Sequence, residues 1–476
     1  MTPPPGDMDP ESFRRHGHRV VDWLAEYLAS PAQYPVLAQV SPGDVAAKLP
    51  SNAPENGESF DAIFADFQRI IVPGLTHWNH PGFFAYFAIT ASGPGILAEM
   101  LAAGLNVQAM LWRTSPAATE LEEVALGWLR DLMGLPASFD GVIYDTASVS
   151  TLHALAAARH GALPDVRNRG VSGAPRIYCT EHTHSSIDKA VLTLGLGLQS
   201  IRRVPVDTGL AMQPHALDAA IAEDLAAGLT PLAVVSTVGT TSSTAIDDVA
   251  AIADVCERRG VWLHVDAAYA GPMAIVPEYR HILAGAARAD SLVVNPHKWL
   301  FTPFDLSALY CRRMDVLRAA FSLVPEYLQT PESGRVRNLM DTGVQLGRRF
   351  RALKLWMVLR YFGAEGIRER LLEHCRLARM FAGWVDADPA FERAADVPFS
   401  VVCFRHVRPG ASDEAIDALN AQLLDEVNAS GEVFLSHTRL HGRYTLRLAV
   451  GNLRTTERHV ARAWELLRGG AARLSA

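Results

Sequence analysis

A chain of 476 residues is long enough for two or three packed units. Hydrophobic residues make up 49% and charged residues 20%, as in ordinary globular proteins, and a net charge of -7 without any long basic run argues against a nucleic-acid partner. The five cysteines (Cys179, Cys256, Cys311, Cys375, Cys403) are scattered and form no C-x-x-C, so neither a disulfide framework nor a zinc or other metal site is expected. No stretch approaches the ~20 apolar residues of a membrane span and the N-terminus lacks an apolar signal core, so a cytoplasmic protein with no membrane partner is expected.

Asp9 before Pro10 predicts a helix N-cap, and Phe13, Val20, Val21, Leu24, Tyr27 and Leu28 follow at helical spacing. That stripe must pack on its own domain or on a second subunit. Residues 41–58 are rich in turn formers and read as a connection, followed by a helix from Phe60 to about Ile71. The run THWNHPGFFAYFAITASGPG is aromatic and broken by glycine and proline. Such segments line pockets or pack irregularly in a core.

From about residue 95 to 310 helices and strands alternate. GILAEMLAAGLNVQAML, ATELEEVALGWLRDLMG, STLHALAAARHG, SSIDKAVLTLG and DDVAAIADVCERRG read as helices. GVIYDT, RIYCT, LAVVSTVG, VWLHVDA, SLVVNP and LSALYCRR read as strands that are apolar throughout. This pattern predicts an α/β fold with a mainly parallel sheet covered by helices on both faces. After residue 350 come a long helix through RRFRALKLWMVLRYFG and a second over 364–385. FSVVCFRHV, EVFLSHTRL and YTLRLAV (strands) with two further helices then make a small α+β unit.

Four places at strand ends could carry chemistry, where α/β enzymes keep their sites. In YDTASVST a strand gives way to a helix, and Thr146, Ala147 and Ser148 offer hydroxyl and free amide donors to an anion; the plain alternative is an ordinary cap. In EHTHSS, His184 or His182 could stack on a ring or move a proton, or be structural. Asp266, closing the apolar strand in LHVDAAYA, needs a cation: a pyridinium N–H, or simply an arginine. Lys298, in NPHKW, follows a histidine and precedes Trp299, Leu300 and Phe301, an apolar flank that favours a neutral amine able to form an imine over a surface lysine. Only four of the 44 basic residues are lysines (Lys48, Lys189, Lys298, Lys354), which raises the weight of each. An anion-binding helix start, a stacking histidine, a strand-end aspartate and a lysine, in that order, match what pyridoxal phosphate (PLP) requires.

NPHKW, HVDAAYAG, HSS, FFAYF and LGRRFRALKLW together resemble the group II PLP-dependent decarboxylases, nearest to the aromatic-L-amino-acid decarboxylases, from about Pro10 to Arg468. The resemblance implies the fold-type I aminotransferase-like architecture in a homodimer. An N-terminal segment (1–85) would pack on the partner, followed by a large PLP domain (86–360) and a small C-terminal domain (361–476). It implies that Lys298 carries the cofactor, Asp266 pairs with its ring nitrogen and His184 stacks on it. Thr146, Ala147, Ser148, Asn295 and His297 would surround the phosphate, with Thr241 and Ala268 close by. Trp78, Tyr86 and Phe87 would line the substrate pocket. The implied activity is decarboxylation of an L-amino acid, aromatic in kind (Phe, Tyr, DOPA or Trp), to the amine and CO2.

Three departures stand out. Counting back from LGRR, Leu339 falls where the family carries a proton-donating loop tyrosine, whose loss goes with oxidative, aldehyde-yielding chemistry in the same family. Asp145 puts a negative charge beside the phosphate turn, with Val149 in place of an acidic residue, and Ala88 and Ile89 replace Pro and Thr of animal relatives. The alternatives are therefore an aldehyde synthase and a PLP-binding protein without turnover.

Overall fold

The computed structural model describes residues 6–163, 165–323, 331, 332 and 335–475. Seven strands form the main sheet: β1 (Asp140–Tyr144), β2 (Pro175–Cys179), β3 (Ile201–Arg203), β4 (Thr230–Thr237), β5 (Trp262–Asp266), β6 (Ser291–Val294) and β7 (Ser307–Cys311). Their spatial order is β1-β7-β6-β5-β4-β2-β3. From β6 across to β3 every pairing is parallel, while β7 is antiparallel to both its neighbours. The strands are apolar on both sides because both faces are covered: Val234 and Val235, adjacent on β4, are fully buried in different cores. The reversal of β7 follows from its short connection. A parallel return needs a crossover of a dozen or more residues that spans the sheet, and residues 295–306 hold only the helical turn Pro296–Trp299 and a loop.

Register sets the site. Thr237 pairs with Asp266, Asp266 with Val293, Val294 with Ala308 and Tyr144 with Ser307. Tyr144, Thr237, Asp266 and Val294 therefore end their strands along one edge of the sheet.

The small unit is an antiparallel sheet of β8 (Phe391–Arg393), β9 (Val401–His406), β10 (Ser436–Leu440) and β11 (Arg443–Ala449) in the order β10-β11-β9-β8. Helices Asp413–Ala429 and Glu457–Ser475 bury their apolar sides against it, around Phe381, Phe404 and Leu446. The two helices expected after residue 350 appear as Ala352–Ala387, broken at Gly363 (φ 61, ψ 175), a conformation that costs glycine little. The helix expected to reach Leu111 is Gly93–Leu105, stopped by the left-handed Asn106. β3 and helix Pro214–Ala226 were not assigned from the sequence.

The Asp9 carboxylate caps helix Pro10–Ala29, accepting from the Glu11 and Ser12 amides at 3.0 Å. The far end is held on this chain by Arg454, donating to the Leu28 carbonyl at 2.9 Å, and by Tyr27 against His77. Phe13 on the same helix is 68% exposed, and Leu97, Met100, Leu101 and Leu105 of Gly93–Leu105 are also exposed. Among the described residues no helix is long and apolar enough to cross a membrane.

Candidate active site

A cavity of ≈ 200 Å³ opens along the strand edge just described. All ten residues expected around the cofactor line it: Thr146, Ala147, Ser148, His184, Thr241, Asp266, Ala268, Asn295, His297 and Lys298. Phe87 and Ile89 also line it, as do Thr237, Gly239, Tyr269 and Phe304, which the sequence had not singled out. A cavity of ≈ 260 Å³ beside Trp262 and Arg313, at the opposite strand edge, holds none of the candidate site residues. Among the described residues no cluster of His, Cys, Asp or Glu could hold a metal.

Lys298 sits on the turn after β6, braced from below by its neighbour. Trp299 is buried and stacks on Tyr269 (4.7 Å between centroids, 5° between planes), which stacks on Phe87 (3.9 Å, 15°). The Trp299 indole N–H donates to His374 Nδ1 at 3.0 Å, so the base of the turn is polar-satisfied as well as packed. The Lys298 amine lies 5.4 Å from the Phe87 ring centre and has no ion pair or hydrogen bond among the described residues. Desolvation lowers its pKa, and only the charge of Asp266 opposes that. The neutral amine that imine chemistry requires is thereby favoured.

Asp266 is 7% exposed and accepts a hydrogen bond from the Ala268 amide at 3.1 Å. It forms no ion pair among the described residues, so the arginine alternative fails. A buried carboxylate without a cation is costly, and a protonated ring nitrogen would supply one. His184 accepts from the Ser186 amide at Nδ1 (3.1 Å), which leaves the ring proton on Nε2. Desolvation, then the Lys298 charge, lower its pKa and keep it neutral. His182 lies outside the cavity lining, 3.7 Å from Glu181. His297 is buried, accepts from the Leu306 amide at 2.9 Å, and has its pKa lowered to about 3 by desolvation and then by Lys298.

The anion cradle is the start of helix Ala147–Ala162. The amides of Val149 and Ser150 both reach the Thr146 carbonyl, while those of Ala147 and Ser148 have no partner among the described residues. Asn295 Oδ1 and Thr237 Oγ1 are buried and have no hydrogen-bond partner among the described residues. The unsatisfied groups thus match a phosphorylated pyridine aldehyde: free amides for its phosphate, a lone carboxylate for its ring nitrogen and an unpaired amine for its carbonyl carbon.

The LGRR segment acts one layer further out. Arg348 is buried and donates to Glu122 (2.8 Å) and to the Ile143 carbonyl (2.7 Å), while Glu122 accepts from the Ile143 amide (2.8 Å). This clamp fixes the end of β1, from which the cradle starts.

Two expectations change. Trp78 and Tyr86 do not line the cavity of this chain; Trp78 stacks on Phe83 (4.3 Å) and Tyr86 is 52% exposed. Leu339, expected at the position of a proton-donating loop tyrosine, is a core residue on the turn Leu339–Thr342, packed in the same apolar cluster as Tyr144 and Leu155 and outside the cavity, so its place gives no support to that correspondence. Arg447 of β11 was missed. It is buried, has no carboxylate partner among the described residues, lies 5.5 Å over Phe87, and donates to the Ser242 carbonyl and Ser436 hydroxyl, both at 2.9 Å. An arginine inside the apolar strand YTLRLAV was the available signal.

The fold and this constellation define a PLP enzyme of fold type I. The chain belongs to the pyridoxal-dependent decarboxylase family, whose conserved domain matches residues 42–407. It is 42% identical over 477 residues to phenylacetaldehyde synthase of Arabidopsis thaliana, covering 98% of this chain and 97% of that protein. It is 42% identical over 479 residues to tryptophan decarboxylase 2 of Oryza sativa subsp. japonica, covering 98% and 96%. The crystal structure of Oryza sativa TDC with PLP and tryptamine superposes with a TM-score of 0.96 at 38% identity, covering 98% of this chain and 99% of that one. The protein is accordingly a PLP-dependent carboxy-lyase acting on an amino acid.

Proposed function

We propose that the substrate is an aromatic L-amino acid, decarboxylated to its amine, in a homodimer whose active sites are shared. The observation that carries this reading is an Asp266 and a Lys298, both without an ion pair among the described residues, in one cavity also lined by Phe87, Ile89 and Phe304. Relatives named for tryptophan, tyrosine and phenylacetaldehyde support the aromatic class. The exposed Phe13, Leu97, Met100, Leu101 and Leu105 support a partner subunit, as does Phe304, a cavity residue 58% exposed in the single chain. In that dimer Trp78 and Tyr86 would bear on a substrate pocket completed between subunits. Five free, buried cysteines suit a reducing cytoplasm.

Bound PLP supplies the electron sink for the pair released when the Cα–carboxylate bond breaks. Lys298, whose amine desolvation favours in the neutral form, would hold the cofactor through its carbonyl carbon. Asp266 would keep the ring nitrogen protonated. The amides of Ala147 and Ser148, with the Ser148 hydroxyl, would anchor the phosphate, with Asn295, His297 and Thr241 beside it. Ala268 and His184 line the same cavity, and His184, with its proton at Nε2, would stack on the cofactor ring. The test is a single assay of CO2, amine and aldehyde across Phe, Tyr, DOPA, Trp and His. Equal CO2 and amine from an aromatic substrate is expected; no CO2 from any of them would overturn the substrate class.

An aldehyde product is the second reading, favoured by the phenylacetaldehyde synthase relative, which is as similar as the tryptophan decarboxylase. Ammonia and peroxide in place of amine would establish it.

A further inference from the structure

The phosphate cradle carries a charge of the wrong sign. Asp145 stands between β1 and helix Ala147–Ala162, directly before the Thr146 that lines the cavity. Its Oδ1 accepts from the Thr146 amide at 2.5 Å and from the Thr146 hydroxyl at 3.1 Å. Its Oδ2 accepts from the Gln345 side-chain amide at 3.3 Å. Both donors of Thr146 are thus turned to a carboxylate and away from an incoming anion. Among the described residues Asp145 has no ion pair, and Lys298 is the only lysine or arginine lining the cavity. The cradle of one chain therefore offers a phosphate only helix-end amides and hydroxyls, with a fixed negative charge one residue away.

We propose that Asp145 is a cofactor-affinity determinant that weakens the hold on the PLP phosphate. It claims the Thr146 donors and repels the phosphate dianion, so the loaded fraction of the enzyme follows the free cofactor concentration. In exchange its carboxylate ties Gln345, and with it the segment that follows the turn Leu339–Thr342, to the end of β1. The inference rests on the cavity being the PLP site, as argued above.

The experiment compares wild type with Asp145→Asn, which removes the charge and keeps an oxygen for the Thr146 amide. Apoenzyme is titrated with PLP and, separately, with pyridoxal, which lacks the phosphate, following tryptophan fluorescence. The expected result is a Kd for PLP about tenfold lower in the variant, or about 1.4 kcal/mol, with no change for pyridoxal. Asp145→Ser must move the same way and Asp145→Glu must not. An unchanged or higher Kd for PLP would overturn the proposal, because Asp145 would then be orienting Thr146 rather than opposing the phosphate. An equal gain for pyridoxal would also overturn it. Borohydride trapping on wild type separates the two layers: no trapped adduct at Lys298 would refute the cavity assignment itself, whereas a trapped adduct without the affinity gain refutes only the role of Asp145.

Discussion

Of the four lysines Lys354 is buried and Lys298 half-buried, and what sets them apart is the counter-ion. Lys354, on helix Ala352–Ala387, is 1% exposed and ion-paired with Glu99. Lys298 has no ion pair among the described residues, and only the more distant charge of Asp266 favours its ammonium. Desolvation lowers the pKa of both, but at Lys354 it is opposed by the hydrogen bond and charge of Glu99. A buried cation with a counter-ion is an anchor; one without is most cheaply accommodated by losing its proton, which makes it a nucleophile.

The comparison can be broken most directly at Lys298. Lys298→Ala should remove the borohydride-trapped adduct and bring CO2 release to background, while Lys354→Ala in a folded protein keeps the adduct; the reverse result would exchange their roles. Asp266→Asn comes next. An amide keeps the shape without the charge, and kcat should fall by roughly 10²–10³, the cost of losing one preorganised electrostatic partner. Third, Lys354→Ala empties a buried side-chain site and leaves Glu99 to Arg349 alone, and should destabilise the fold by about 2 kcal/mol, while Lys354→Met refills the space and recovers most of that in denaturant melts.

The smallest effect is also the sharpest. The pKa of Lys298 is lower in the folded apoenzyme than the ordinary 10.5. Between those two values the unfolded chain binds more protons, so this group makes apoenzyme stability rise with pH across that window, and its penalty is complete below the folded pKa. Lys298→Met should therefore raise the apoenzyme Tm at neutral pH, with the advantage fading as pH approaches 10.5. A lower Tm at neutral pH would show that the amine is compensated after all.

What the sequence made legible follows the same physics. Asp266, Lys298 and the Thr146–Ser148 turn announce themselves because an apolar strand ends abruptly in a polar residue, a purely local pattern. Parallel order was likewise readable from strands apolar on both faces. β7 runs the other way because of the length of one loop, and β3 was too short to register. Arg447 comes from the other sheet, and nothing near it in sequence points to Phe87. Trp78 and Tyr86, placed at the substrate pocket by the resemblance, stand outside the cavity of the single chain, and an aromatic run does not reveal which rings face inward. Leu339 was placed by counting from LGRR, but counting along a chain carries no information on burial, and its side chain is 2% exposed.

The adjacency of β1 and β7 has a further consequence for how the protein is made. Tyr144 and Ser307 are register partners although most of the large domain's chain lies between them. Contacts of such long range form late in folding. The phosphate cradle follows β1 and the lysine precedes β7, so the two halves of the site meet only when that last pairing closes. Cofactor capture on refolding should then track sheet closure, and a ribosome-bound chain that has not yet emerged past β7 would carry the cradle and the lysine without the strand pairing that brings them together.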